Sequence, residues 1–432
     1  MTRARMIPLI ATLSAVCLTA SVSGHAQTLS VQEQAIVSAV DRQIEEAHQV
    51  LEQVVNIESA TLNLDGVRRV GAVFEKEFNA LAFSTRWVEL PEDMERAGHL
   101  FAERQGDTGA RALLIGHLDT VLEGDAYARQ GGTVFGNGTA DMKGGDVVLL
   151  FALRALQQVG ALDERNIVVA LMGDEESPGQ PVDVSRAALI DAGRRSDFAL
   201  GFESGDRATA VVARRGASTW SLEVSGRTGH ASRIFGPEFG SRAILEAARI
   251  LNEFREELAD EEFLTFNPRI IAEGTEATVA GNDGTAVGPL NVISQTVLVE
   301  GDLRTISEEQ KENARNRMRA ILSEHLPQTD ATIEFQDLYP AMAPTPENLE
   351  LLDRVDAISR ALGGPTVEAV DPSERGAADI SFVAPFTPSL DGLGIDGANP
   401  HQPGESATLV EFSVPHQESS PAQLSINRVG KS

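Results

Sequence analysis

His117, Asp119, Asp141, Glu175, Glu176, Glu203 and His401 carry the side-chain types that bind divalent cations. Their settings are Gly-His-Leu-Asp-Thr-Val, Gly-Asn-Gly-Thr-Ala-Asp-Met-Lys-Gly-Gly, Gly-Asp-Glu-Glu-Ser, Gly-Phe-Glu-Ser and Asn-Pro-His. Imidazoles and carboxylates hold zinc while leaving a position for water. Several of these groups follow an apolar run, where a buried strand would end. A parallel sheet offers the carboxyl ends of its strands to a ligand crevice. The combination reads as a hydrolytic metal site. Taken singly, a His-x-Asp is more often a satisfied pair, Asp-Glu-Glu a solvated charge run, and Asp141 a helix cap. Their shared place after apolar strands favours the metal.

The elements that must position these groups follow from the apolar pattern. Ser30-Val31-Gln32-Glu33 has capping-box form and opens a helix predicted to run to about Val55. Arg111 to Gly116 and Asn166 to Met172 read as buried strands, Phe198 to Phe202 as another, and Met142 to Gly160 as the helix between. Strand, helix, strand in that order predicts an α/β fold with a mostly parallel sheet. After Arg215 the pattern changes. Ala217 to Val224, Thr296 to Leu303 and Ala331 to Phe335 alternate like half-solvated strands. Helices are expected at Pro237 to Leu258 and from Ser307 to about His325. This β-α-β-α-β order predicts a smaller α+β layer. Tyr339 to Glu347 is a Pro-containing linker back to the first unit.

The chain has 432 residues, 42% hydrophobic and 23% charged, which is a globular composition. At about 100–200 residues per domain, two domains are expected. Residues 1–26 read as a secretory leader: Arg3 and Arg5, an apolar stretch from Met6 to Val22, then Gly24-His25-Ala26. That stretch is short and polar-spotted for a span of about 20 apolar residues. The expected location is periplasmic or secreted, with no membrane span after cleavage. Cys17, the only cysteine, would leave with the leader, so disulfides and thiolate ligands are excluded. Losing Arg3 and Arg5 takes the formal net charge from −28 to −30. That argues against nucleic acid and anionic membrane surfaces as partners.

The motifs together resemble the M20 metallopeptidases, closest to the glutamate carboxypeptidase-type branch. His117 to Val121, Gly138 to Gly145 and Asp174-Glu175-Glu176 match three catalytic motifs. Gly226-Arg227-Thr228-Gly229-His230-Ala231-Ser232 resembles the lid-domain histidine motif, and Gly397 to His401 the last metal-ligand segment. The likeness runs from about Leu51 to beyond His401. It implies a catalytic domain at 27–214 and 337–432, interrupted by a lid at 215–336 that usually makes a homodimer.

The resemblance implies two zinc ions per subunit, with Co²⁺ or Mn²⁺ as substitutes. Asp141 would bridge them, His117 and Glu203 completing one site and Glu176 and His401 the other. Asp119 would orient His117, and Glu175 would be the general base. The Asp141–Met142 peptide is expected to be cis. His230 would reach the partner subunit's active site and stabilise the oxyanion. Asn291, Arg304 and Gly376 would contact substrate. Arg214, Arg215 and Arg375 are further carboxylate binders to consider, against a plain surface reading. His48, His99, His325 and His416 lack a motif and are expected at the surface.

The implied activity is cleavage of the amide bond of small peptides or N-acyl amino acids. The glutamate-cleaving branch can carry an arginine before the proline after the lid. Asp337-Leu338-Tyr339-Pro340 has no basic residue, so the released residue stays open between glutamate and others. An aminoacylase or dipeptidase is the enzymatic alternative, and a non-catalytic zinc-binding scaffold the alternative of another class. Glu175 speaks against the scaffold, which has no use for a base beside a complete ligand set. The segment from Phe412 to Ser420 is polar, and Pro421 to Val429 is a short, weakly apolar helix candidate.

Overall fold

The computed structural model describes residues 29–106 and 109–408. The leader, Cys17, His416 and the helix candidate at 421–429 lie outside the described residues.

Alternation along the central strands builds the main sheet. Ala112 and Leu114 point into one apolar cluster, and Leu113 and Ile115 into another. In the neighbouring strand Ile167, Val169 and Leu171 join the first cluster, while Val168, Ala170 and Met172 join the second. Successive side chains of a strand face opposite ways. A strand apolar at every position therefore needs cover on both faces, the usual condition of a parallel sheet. The six strands stand in the order Ser84–Val88, His99–Arg104, Asn166–Met172, Arg111–His117, Phe198–Gly201, Ser389–Leu390. The first two pair antiparallel to their neighbours, and the last four run parallel.

Helix Lys143–Gln158 lies across one face and begins against the strand ends. Gly145 allows that close approach, since a Cβ there would sit 2.0 Å from the Phe202 carbonyl oxygen. Ser30 and Glu33 form the expected capping box. The predicted long helix is two helices, Val31–Arg42 and Ile44–Val55. They part at Gln43, whose φ of −102° and ψ of 0° leave the helical region and whose side chain donates to the Ala39 carbonyl.

A second, antiparallel sheet takes the order Thr265–Gly274, Thr296–Thr305, Gly216–Ser225, Asp330–Tyr339. Helices Ala243–Leu258 and Glu308–Ile321 pack on it through Trp220, Leu222, Val224, Phe254, Val299 and Met318. Trp220 meets Phe254 edge-on at 6.1 Å between centroids. Strand Thr265–Gly274 was not expected. It contains Pro268, which strands tolerate at an edge or a bulge, and the register shifts between Pro268 and Ile270. The ribbon Glu276–Ala280 with Asp283–Val287 was also not predicted, nor was helix Pro346–Ala361, although Thr345 caps it and Pro346 sits at its start. Helix Ala243–Leu258 starts six residues later than expected, because Arg242 takes a φ of 72°. Among the described residues no helix is long and apolar enough to cross a membrane.

Candidate metal centre

Strand register brings the chemistry to one edge. His117 ends its strand opposite Met172, and Ile115 stands opposite Gly201. The chain therefore leaves all three parallel strands together, carrying Asp174-Glu175-Glu176 and Glu203. Asp141 arrives from the loop before helix Lys143–Gln158, and His401 from a turn in which Asn399 and His401 hold left-handed φ values of 58° and 60°. Non-glycine residues seldom adopt that region, and outliers of this kind gather at functional sites.

Asp141 stands between the two imidazoles. Its Oδ1 lies 3.1 Å from His117 Nε2, which is also 3.8 Å from Glu203 Oε1. Its Oδ2 lies 2.9 Å from His401 Nε2, itself 3.1 Å from Glu176 Oε2. Two ligand triads result, His117–Asp141–Glu203 and Asp141–Glu176–His401, sharing Asp141 through different oxygens. His117, Glu175 and Glu176 also lie close enough to hold an ion. Buried Glu176 Oε1 has no hydrogen-bond partner. An unused carboxylate oxygen inside a nitrogen- and oxygen-rich cluster fits two divalent cations of the zinc type, with N and O ligands and a bridging carboxylate.

Supporting residues hold several members of the cluster. Asp119 is fully buried, and its Oδ1 and Oδ2 accept from the backbone N–H groups of Glu175 and Glu176 at 3.0 and 3.1 Å. Thr61 Oγ1 also donates to it at 2.7 Å. The predicted contact with His117 is longer, 3.4 Å from Nδ1 to Asp119 Oδ1, whereas the Asp119 carbonyl is 3.0 Å away. Asp119 thus orients His117 mainly through its backbone and the two glutamates through its carboxylate. The Asp141–Met142 peptide is cis. Its loop is gripped by Glu405, which accepts from the N–H groups of Gly138, Ala140 and Asp141 at 2.9, 2.8 and 2.9 Å. Gly138 holds a φ of 83°, which a side chain there would rarely permit.

Asp174 faces away from the cluster. It accepts from Gly179 N, Ser185 Oγ and Arg186 Nη1, and Arg186 Nε reaches Asp379 Oδ1 at 2.6 Å. Tyr339 Oη donates to the Glu175 carbonyl at 2.6 Å. Nothing in the sequence singled out Arg186. Two signals were available for the others: Glu405 follows His401 by four positions, and Asp379 is the only acid in the apolar stretch 377–385.

Charge explains why such a cluster wants cations. Burial disfavours the His117 imidazolium, yet contacts with Asp119, Asp141 and Glu203 hold its pKa well above the usual histidine value. Hydrogen bonds to Asp141 and Glu176 push His401 up to about 10. Burial raises Glu175 well above its usual range and lifts Glu203 to about 8, with Asp141 adding to the latter. Asp141 goes the other way, because the two imidazoles outweigh its burial. Without cations, protons balance the carboxylates. Each raised pKa means a proton bound below it that a cation must expel. Binding of divalent cations is therefore expected to release protons and to tighten as pH rises from roughly 6 to 8, about tenfold per unit for each proton lost. Calorimetry in buffers of different ionisation enthalpy reads this directly, and proton-neutral binding would contradict it.

The remaining predicted residues lie apart. Among the described residues no hydrogen bond or ion pair joins His230 to the cluster. It is exposed in the antiparallel layer, with Nδ1 2.8 Å from Ser232 Oγ. Ala231 N donates to the Asn291 carbonyl, which sets His230 and Asn291 on neighbouring segments. Arg304 pairs with Asp302 at 3.0 Å. Gly376 is exposed, and its carbonyl accepts from Arg214 Nη1. Arg214 is buried on Asp391 at 2.8 Å, so its guanidinium is not free for a substrate carboxylate. Arg215 contacts Thr265 and Ser373. His48 and His99 are buried rather than superficial. Burial lowers His99 to about 4, and as a neutral ring it accepts from Gly173 N while Nε2 donates to the Ser185 carbonyl.

Comparison with known proteins gives a consistent picture. The description of peptidase family M20/M25/M40 matches residues 113–414. Carboxypeptidase G2 of Pseudomonas sp. (strain RS-16) is 25% identical over 412 residues, covering 93% of each chain. Succinyl-diaminopimelate desuccinylase of Stutzerimonas stutzeri (strain A1501) is 28% identical over 345 residues, 75% of this chain and 84% of the relative. Among solved structures, aminopeptidase PepT of Bacillus cereus superposes with a TM-score of 0.69 at 19% identity, over 89% of this chain and 97% of its own. The Bacillus subtilis YXEP protein, described as a dinuclear metal binding peptidase, gives 0.60 at 12% identity, over 89% and 98%.

Proposed function

We infer the reaction from one premise: the chain belongs to peptidase family M20/M25/M40. It is a hydrolase of amide bonds. The substrate we propose is a small peptide or N-acyl amino acid, cleaved in the manner of a carboxypeptidase. The observation that carries this reading is Asp141, with one carboxylate oxygen toward each imidazole and Glu175 beside ligand Glu176. Zinc is the proposed ion, and Co²⁺ or Mn²⁺ suit the same donors.

When bound, the cation pair supplies Lewis acidity that polarises the scissile carbonyl and acidifies water. His117, Asp141 and Glu203 would hold one ion, and Asp141, Glu176 and His401 the other. Glu175 takes the proton of the attacking water on its carboxylate and delivers it to the departing amine nitrogen. The C–O bond forms, the C–N bond breaks, and a carboxylic acid and an amine leave. Asp119 holds the Glu175 backbone so that the carboxylate meets the carbonyl in a fixed direction.

The antiparallel layer at 215–336 is the proposed lid on a catalytic domain of 27–214 and 337–432. Phe235 and Leu290 are almost fully exposed in it, on the segments that carry His230 and Asn291. Apolar side chains so placed support a homodimer in which His230 serves the partner's site. Asn291, Arg304 and Gly376 are the proposed substrate contacts. The leader composition supports a periplasmic or secreted protein.

A hydrolysis panel of N-acyl amino acids and dipeptides, varied at the C-terminal residue across Glu, Asp, Ala and Leu, tests the reading. Turnover is expected to vanish with chelator and return with zinc. A protein that binds two ions and hydrolyses no member of the panel would be a scaffold instead.

A further inference from the structure

We propose that Tyr339 is a positioning residue for the general base, tying the backbone of Glu175 to the strand that returns from the antiparallel layer. The inference rests on Glu175 acting as the base. Tyr339 is the last residue of strand Asp330–Tyr339. The register of that strand slips between Asp337 and Tyr339. A bulge of this kind re-aims a side chain. Here the phenol leaves the sheet and reaches the main site, where Oη donates to the Glu175 carbonyl at 2.6 Å.

The Glu175 backbone is thereby held from two sides. Its N–H donates to Asp119 at the ends of the parallel strands, and its carbonyl accepts from the returning strand. The phenol is itself fixed. Arg186 Nη2 lies 3.4 Å from Oη, and Arg186 is clamped between Asp174 and Asp379. The ring packs on Phe382 at 5.1 Å between centroids. Three residues on, Met342 pairs with Arg214 through both backbone hydrogen bonds, at 2.9 and 3.0 Å, where the chain crosses between the layers. The tie therefore sits where the chain leaves the antiparallel layer.

Tyr339→Phe removes that hydroxyl and keeps the ring on Phe382. Amide exchange across residues 174–177 should speed up about tenfold, with strand Asn166–Met172 unchanged and two ions still bound. In the zinc-loaded enzyme kcat should fall about tenfold, the worth of one hydrogen bond, with KM within about twofold. Unchanged exchange overturns the tie whatever the activity. Faster exchange with unaltered kcat overturns the positioning role, and so does a lower kcat accompanied by loss of an ion. A wild type that carries two ions yet hydrolyses nothing removes the base itself, a failure distinct from a wild type that turns over no faster than Tyr339→Phe.

Discussion

Glu175→Gln should leave both cations bound and lower kcat by about 10²–10⁴-fold, the usual contribution of a positioned proton-transfer group. The amide keeps the shape of the carboxylate and cannot take a proton from water. The backbone contacts that hold residue 175, to Asp119 and Tyr339, do not involve the altered atoms. Glu175 belongs to neither triad built on Asp141, although it lies within ligand distance of His117 and Glu176. Metal content therefore decides between the two roles. If mass spectrometry finds the variant one ion short, Glu175 is a ligand and the assignment of the base is wrong.

The second large effect is on stability. Arg186→Met should cost about 3–5 kcal/mol, the range for breaking a buried ion pair by removing one partner. Arg186 is fully buried between Asp174, also fully buried, and Asp379, at 3% exposure. Without the guanidinium two carboxylates lose their counter-charge inside the protein. Asp379 already stands at about 6, because burial outweighs the arginine. Removing Arg186 moves it further up, so the folded state of the variant binds the proton more tightly than the unfolded chain. The penalty should be smallest near the ordinary carboxylate value of about 4 and grow as pH rises through 6 and beyond. Urea midpoints across that range measure it. A variant within about 1 kcal/mol of wild type at neutral pH would show that Arg186 does not hold this region together.

What was legible in the sequence has a physical pattern. Strands Arg111–His117 and Asn166–Met172 announce themselves because burial on both faces demands unbroken apolar runs. Candidate ligands His117 and Glu176 were readable because they sit at or just beyond the ends of those runs. Strand Thr265–Gly274 was hidden by Pro268, and its mostly exposed face carries no apolar alternation to see. Arg186 and Tyr339 were illegible as functional residues for another reason. Each acts on a group that is distant in sequence, and no local spacing encodes such a pairing. Only the folded chain reveals that Glu405 grips the Asp141 loop, or that a strand-end tyrosine meets Glu175.

The grip of Glu405 on Asp141 spans 264 positions, and His401 lies only four residues before it. A ribosome must therefore pass residue 405 before the Asp141 loop is gripped and the last imidazole of the cluster is in place. Nascent chains that stop short of residue 401 carry His117, Asp141 and Glu176 with neither the second imidazole of the cluster nor the carboxylate that grips the Asp141 loop.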